Sequence, residues 1–175
     1  NDKKDEIYLH GFIDGKEKLI ESEELFNKIT GSANDAIIVI NNENKIVYWN
    51  RFAEVIFGYS FEEVKNKAFH ENFAPKKYHS FYKKGFEKFK QSGEGNAIGK
   101  TTELSAIRKG GVEFPIELSL SSVKIKNSWH AVGIIRDITE RKEAEKKLSE
   151  AKQEAENANK SKSEFLANMS QEFTF

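Results

Sequence analysis

Cysteine is absent from the 175 residues, and that removes a large share of possible chemistry. It excludes disulfides, thiolate metal sites, a cysteine nucleophile and a flavin–cysteine photoadduct. Four histidines remain as candidate ligands or bases: His10, His70, His79 and His130. They are scattered among carboxylates without the spacing of a metal site. No catalytic triad and no phosphate-cradling loop accompanies them. The residues best placed to do work are instead Asp137 and Thr139, within Gly133-Ile134-Ile135-Arg136-Asp137-Ile138-Thr139-Glu140-Arg141-Lys142. There a strand-like alternation gives way to a charged, alanine-rich, helical stretch. An aspartate at such a join caps a helix start and accepts a charged partner, and a threonine bonds the first free amides. Arg136 and Lys142 are the candidate sources of the charge.

The remaining composition narrows the class. Lys+Arg and Asp+Glu both number 28, so no basic field favours nucleic acid or an anionic membrane. No apolar run approaches the roughly 18 residues of a membrane span, and no signal-peptide core is present. The expectation is a cytoplasmic chain without direct membrane insertion, or the cytoplasmic part of a membrane-anchored parent.

The elements that would position the join follow from pattern. Residues 1–34 read as helix, with an apolar stripe through Leu19, Ile20, Leu25, Phe26 and Ile29 that Gly31-Ser32 ends. This helix packs on its own domain or pairs with a copy. Ala36–Ile40 and Lys45–Trp49 form a hairpin around Asn41-Asn42-Glu43-Asn44. Asn50 caps a short helix that Gly58 closes, and Ser60-Phe61-Glu62-Glu63 has the form of a capping box opening another, ending near Lys67. Pro75 starts a helix over 76–92 with Tyr78, Phe81, Tyr82, Phe86 and Phe89 on a broad apolar face. Strands follow over Thr101–Arg108, Val112–Lys126 and Trp129–Arg136. This order predicts an α+β fold: a five-stranded antiparallel sheet with helices over one face.

From Asp137 onward the period is 3.5. Positions 141, 144, 148, 151, 155, 158, 162, 165 and 169 carry Arg, Ala, Leu, Ala, Ala, Ala, Lys, Phe and Met, a heptad seam. A helix over 138–170 is roughly 50 Å long at about 1.5 Å per residue. It is too polar to bury against one small domain, so a homodimer through parallel C-terminal helices is the expected state. The seam is weak, because alanine is small and Arg141 and Lys162 are charged. A single solvated helix is the simpler alternative.

Several of these stretches, taken as an ordered set, resemble a PAS domain. They are Ala36–Ile40, Tyr48-Trp49-Asn50-Arg51-Phe52-Ala53-Glu54, Phe57-Gly58-Tyr59, Arg108–Ser119 and Arg136–Lys142. Lys162-Ser163-Glu164-Phe165-Leu166-Ala167-Asn168-Met169-Ser170 resembles the segment leading into the phosphoacceptor histidine of sensor histidine kinases. Gln171 stands where that histidine is expected, and an amide offers no imidazole nitrogen to phosphate. The resemblance implies four parts: an N-terminal helix or linker over 1–30, a PAS sensory domain over 31–137, a coiled-coil signalling helix over 138–170, and a remnant of the phosphoacceptor segment over 171–175. The implied function is detection of a small ligand, redox state or cofactor-borne signal, passed through a dimeric helix to a histidine-kinase output in a phosphorelay. The chain would not itself be an enzyme, and its partners would be a second copy and downstream kinase domains of the parent. The alternative is a ligand-free PAS module used only for dimerisation.

The resemblance also implies where a signal would be read, between the sheet and the facing helices. Candidate pocket residues are Ile38, Ile40, Phe52, Ile56, Phe81, Phe89, Leu104, Leu118, Leu120 and Ile134. They are otherwise plain core. Similar haem-binding sensors carry a ligand on the long helix at the position of Tyr82, with His79 one turn earlier on a similar face. A non-covalent flavin, beside Trp49 or Trp129, is the other cofactor this implies. The relay residues would be Arg136, Asp137 and Thr139, linking the last strand to the output helix.

Overall fold

The computed structural model describes Lys18, residues 21–31 and residues 33–172. Most of the helix expected over residues 1–34, His10 with it, lies outside the described residues, as do Phe173, Thr174 and Phe175. The chain divides into two compact units between Asp137 and Ile138. Within the first, residues 21–31 form α1. After it come β1 (Ala36–Ile40), β2 (Ile46–Trp49), α2 (Arg51–Phe57), α3 (Phe61–Val64) and α4 (Phe69–Phe73). A 3-10 turn (Lys76–Tyr78) leads into α5 (His79–Ser92), followed by β3 (Thr101–Ile107), β4 (Glu113–Ile125) and β5 (Ser128–Asp137). The second unit is one helix, α6 (Thr139–Glu172).

The five strands form one sheet in the order β2-β1-β5-β4-β3, and each neighbouring pair runs antiparallel. The first and last strands are therefore adjacent at the centre, with Ala36 opposite Ile135. Period-two alternation puts one set of side chains under the helices. Ala36, Ile38 and Ile40 of β1, Phe114 and Ile116 of β4, and Ala131 and Ile135 of β5 are all buried. The helices return Ala53, Phe57, Val64, Phe73 and Phe89 to the same core.

Asn50 joins three elements. Its Oδ1 accepts from Ala53 N–H at 2.9 Å, capping α2, and from Ile37 N–H at 2.9 Å in β1. Its Nδ2 donates to the carbonyls of Thr30 (2.9 Å) and Asp35 (3.1 Å). The side chain is buried, and both ends of its amide are satisfied, which is the condition for burying it. α1 is held at the same place: Tyr48 Oη donates to Thr30 Oγ1 at 2.6 Å, and Phe26 meets the Tyr48 ring edge-on at 5.2 Å.

The capping box forms as the sequence suggests. Ser60 N–H donates to Glu63 Oε2 at 2.8 Å and Glu63 N–H to Ser60 Oγ at 3.4 Å. The helix it opens is one turn, ending at Val64 rather than near Lys67, because Lys65 turns extended and Asn66 takes φ 61°. α4 has no counterpart in the sequence reading, and the helix expected over 76–92 begins as a 3-10 turn.

Candidate functional site

Between sheet and helices lies a cluster of aromatic rings. Phe57, fully buried, has ring centroids 5.0 Å from Trp49, 5.6 Å from Phe73, 5.7 Å from Phe114 and 6.4 Å from Phe69. Trp49 adds Phe73 at 5.3 Å and donates from Nε1 to the carbonyl of Tyr59 at 3.2 Å. All five of these ring pairs are edge-on or tilted, arrangements that aromatic quadrupoles favour.

The ten candidate pocket residues divide. Ile38, Ile40 and Phe89 are buried, while Ile56, Leu104 and Leu118 pack against the core half-buried. Phe52 and Leu120 are half-buried. Phe81 and Ile134 are corrections: they are 79% and 44% exposed. Ile134 fails because β5 turns Ala131, Gly133 and Ile135 inward, so its larger side chain falls on the opposite face. Phe81 sits on α5 beside exposed Lys83, Lys84 and Gly85, outside the stripe of Tyr82, Phe86 and Phe89. The candidate pocket set left out the residues that fill the interior, Trp49, Phe57, Phe73 and Phe114.

A second, more polar cluster sits beside it. His70 of α4 bonds through Nδ1 to Oδ1 of Asn44 at 2.9 Å. Asn44 is buried in the β1–β2 turn with φ 64°, and its carbonyl accepts from Phe69 N–H at 3.0 Å. The His70 ring lies flat on Tyr82 of α5, centroids 3.2 Å apart and planes 16° apart. Tyr82 continues to Phe86 at 4.8 Å, and Phe86 to Phe89 at 5.7 Å. The Tyr82 hydroxyl is buried without a hydrogen-bond partner among the described residues. Burial, then the carboxylates of Glu71 and Glu87, hold its pKa above the usual phenol range. Burial, then repulsion from His79, pushes His70 down to about 3, so its imidazole is neutral at physiological pH. His79 itself donates from Nε2 to the carbonyl of Ala74 at 2.9 Å. His130 contacts the carbonyl of Ser128 at 3.1 Å through Nδ1, within β5.

The third feature is the end of β5. Arg108 Nη2 donates to Oδ2 of Asp137 at 2.9 Å, with its guanidinium 3.9 Å above the Phe114 ring. Asp137 thus draws charge from a residue 29 positions back in the chain, which the local sequence pattern did not point to. Arg136 is engaged elsewhere, in a paired contact with the Asp35 carboxylate at 2.9 and 2.7 Å, which raises its already high pKa. Next to Arg108, Lys109 donates its backbone N–H to the carbonyl of Phe57 at 2.8 Å and its Nζ to Glu63 at 2.7 Å. The Lys109 bond, then the Ser60 amide, lowers Glu63 to about 2. One turn of backbone, Arg108-Lys109, therefore touches α2, α3 and the last residue of β5.

Residues 34–140 match the model of the PAS domain family. The chain belongs to the PAS family. Among curated proteins, an uncharacterized protein of Azorhizobium caulinodans is 30% identical over 127 residues, 73% of this chain and 17% of that protein. The cell-division control histidine kinase PdhS of Brucella anthropi is 29% identical over 163 residues, 91% of this chain and 15% of the kinase. The chain thus spans about a sixth of the length of these relatives. Among solved structures, the PAS domain of an HTR-like protein from Haloarcula marismortui aligns with a TM-score of 0.57 at 19% identity, covering 71% of this chain and 98% of that one. A PAS domain from a two-component sensor histidine kinase aligns with a TM-score of 0.53 at 14% identity, covering 66% and 96%. At such identities the structural likeness is one of fold.

Neither cofactor implied by the resemblance fits this PAS interior. Haem would need His79 or Tyr82 facing an open pocket. His79 Nε2 is already bonded to a backbone carbonyl, and the Tyr82 ring is covered by His70. A flavin between sheet and helices would displace the rings around Phe57. Trp49 is wedged between Phe57 and Phe73, and Trp129 lies instead under the C-cap glycine of α5. Among the described residues no cluster of three metal-binding side chains occurs, and no helix is long and apolar enough to cross a membrane.

Proposed function

We propose that this PAS domain senses a signal in its helix-covered face and passes it through Asp137 into α6, toward a histidine-kinase output. The single observation that carries the reading is the Arg108–Asp137 bond. It attaches the last residue of β5 to a turn that also grips α2 and α3. A displacement of those helices by a ligand would reach Asp137 through two adjacent residues. In this reading α6 pairs with the α6 of a second copy. Leu148, Phe165 and Met169 of its heptad seam are exposed in the single chain, and burying a leucine or phenylalanine in a dimer stabilises by about 1.5–3 kcal/mol. The sequence similarity to PdhS, which covers 91% of this chain and so reaches into α6, supports a kinase as the output. The chain itself would transfer no phosphate, since Gln171 presents an amide where the kinase resemblance expects imidazole.

The test is a fusion of this chain to a histidine-kinase catalytic region, comparing wild type with Asp137→Ala. Loss of signal-dependent kinase activity with α6 still dimeric by sedimentation supports the relay. Unchanged regulation despite lowered stability overturns it.

A second reading, a PAS module used only for dimerisation, is favoured by the filled interior around Phe57. Absorption spectroscopy and native mass spectrometry of the purified protein separate the two. Bound small-molecule mass favours sensing, and a dimer of bare chains that ignores added ligands favours the module.

A further inference from the structure

β4 is longer than the strand that covers its outer edge. β3 pairs with it from Ile107 opposite Glu113 to Thr101 opposite Ser119. One further step is made by residues 98–100, where Gly99 N–H donates to the carbonyl of Leu120 at 2.7 Å and Leu120 N–H to the carbonyl of Lys100 at 3.2 Å. Beyond Leu120 the strand continues to Ile125, paired on its other side with β5 through Ile125 opposite Ser128.

The direction of the backbone groups follows from parity. In an antiparallel ladder, a residue whose N–H and C=O point to one neighbour alternates with one pointing to the other. Leu120 points away from β5, toward residues 98–100. Ser122 and Lys124 therefore point the same way, and no segment of the described chain lies there to bond them. Among the described residues this is an unpaired strand edge that presents the backbone groups of two residues, not a frayed end, because the opposite edge is held by β5.

Next to this edge runs an open groove of about 530 Å³ lined by Ser122, Ile98 and Trp129, with the α5 C-cap loop as its far wall. Trp129 forms its floor. It sits opposite Lys124 in the ladder, and the Lys124 ammonium lies 5.6 Å from its ring. The floor is built closely: a Cβ on Gly93 would come within 2.5 Å of the Trp129 ring. The rim is basic. Lys100, Lys124 and Lys126 are exposed along the edge, while Glu94, the acidic residue of the groove, is paired with Lys88 at 3.1 Å.

We infer that the Ser122–Lys124 edge of β4 is a docking site for an extended, acidic peptide segment, which adds as a strand and lays alternate apolar side chains onto Trp129 and Ile98. Strand addition supplies main-chain hydrogen bonds, and pockets for alternate side chains supply selectivity. A second copy of the same edge is the poorer occupant, since symmetric pairing would bring Lys124 and Lys126 against their own kind, and like charges across strands destabilise. Lysines on a free edge also discourage such self-association, which leaves an acidic partner as the one they admit.

The test uses the full chain, a fluorescein-labelled acetyl-(Val-Glu)4 amide and its (Val-Lys)4 counterpart. Expected is saturable binding of the glutamate peptide at least tenfold tighter than the lysine peptide. Amide exchange of Ser122 and Lys124 should slow in the complex. Ser122→Pro removes an edge donor that β5 does not use, and proline is tolerated on such an edge, so binding falls at least tenfold. Lys124→Glu keeps the backbone and should invert the preference between the peptides. The inference is overturned by equal affinity for both peptides, by protection mapping elsewhere, or by protection at Ser122 that rises with chain concentration alone, the mark of self-pairing.

Discussion

Arg108 and Asp137 are joined at 2.9 Å across two non-neighbouring points of the chain, one in the β3–β4 turn and one at the end of β5. Both side chains are about one-third exposed or less, and Nε of Arg108 is buried without a partner among the described residues. The pair is therefore a positioning device more than a source of stability. Exposed ion pairs contribute about 0.2–1 kcal/mol, and this one, stacked on Phe114, belongs at the upper end. Urea unfolding of Arg108→Met, Asp137→Asn and the double variant should give a coupling energy of about 1 kcal/mol. Additive losses would mean that the two residues act independently, and the relay would lose its first link.

Gly93 tests the packing beneath the proposed docking groove. It closes α5 in the left-handed region, with φ 71° and its N–H bonded to the Phe89 carbonyl. An added methyl meets both backbone strain and the Trp129 ring at 2.5 Å. Gly93→Ala should lower stability by about 2 kcal/mol or more, with a red-shifted tryptophan emission as Trp129 is displaced into water. Gly110, also at positive φ but with nothing near its absent Cβ, serves as the control. Its alanine variant should cost about 1 kcal/mol from the backbone alone.

His70 makes stability depend on acid. Its pKa falls from 6.5 to about 3 on folding, because burial disfavours the charged ring and His79 repels it. Between those values the unfolded chain binds a proton that folded His70 does not. The contribution of the neutral ring is thus complete above about pH 6.5 and is lost as pH falls toward 3, with a slope of at most about 1.4 kcal/mol per pH unit. Asn44, His79 and Tyr82 face the group. The check is a difference: urea midpoints of wild type and His70→Phe from pH 7 to 4 should converge as pH falls. An NMR titration placing the His70 imidazole near 6.5 would refute the burial argument.

The strands were legible because their code is local. Phe114, Ile116, Leu118 and Leu120 alternate without interruption, and turn residues at Asn41–Asn44 and Lys109–Gly111 mark the hairpins. The capping box Ser60–Glu63 was legible for the same reason. What failed was information carried by tertiary contact. Phe69-His70-Glu71-Asn72-Phe73 is too short to show a helical period, yet it contributes Phe73 to the core and His70 to the Tyr82 stack. Ile134 was assigned inward on hydrophobicity, while the ladder register turned its small neighbours Ala131 and Gly133 inward instead. Asp137 announced its importance, but its partner Arg108 lies in another hairpin, and no spacing rule connects them. The open edge at Ser122–Lys124 is invisible in sequence, since it depends on where β3 stops.

Asn50 was expected only as a helix cap, and the structure asks more of it. A cap accounts for one bond, to Ala53 N–H, and its loss to alanine costs about 0.5–2 kcal/mol. Here the same oxygen also accepts from Ile37, and the amide nitrogen serves two carbonyls, that of Thr30 in the last turn of α1 and that of Asp35 just before β1. Asn50→Ala leaves those buried groups unpaired, each costing about 1–3 kcal/mol when no water reaches it. The expected loss is about 3–5 kcal/mol, beyond the cap alone. Asn50→Asp separates the roles. It keeps the acceptor for Ala53 and Ile37 but sets a carboxylate against the carbonyls of Thr30 and Asp35. If capping is all that matters, the aspartate variant should match wild type in urea. If the junction matters, it should fall nearly as far as alanine at pH 7 and recover part of the difference at pH 4, where a protonated carboxyl again donates to a carbonyl.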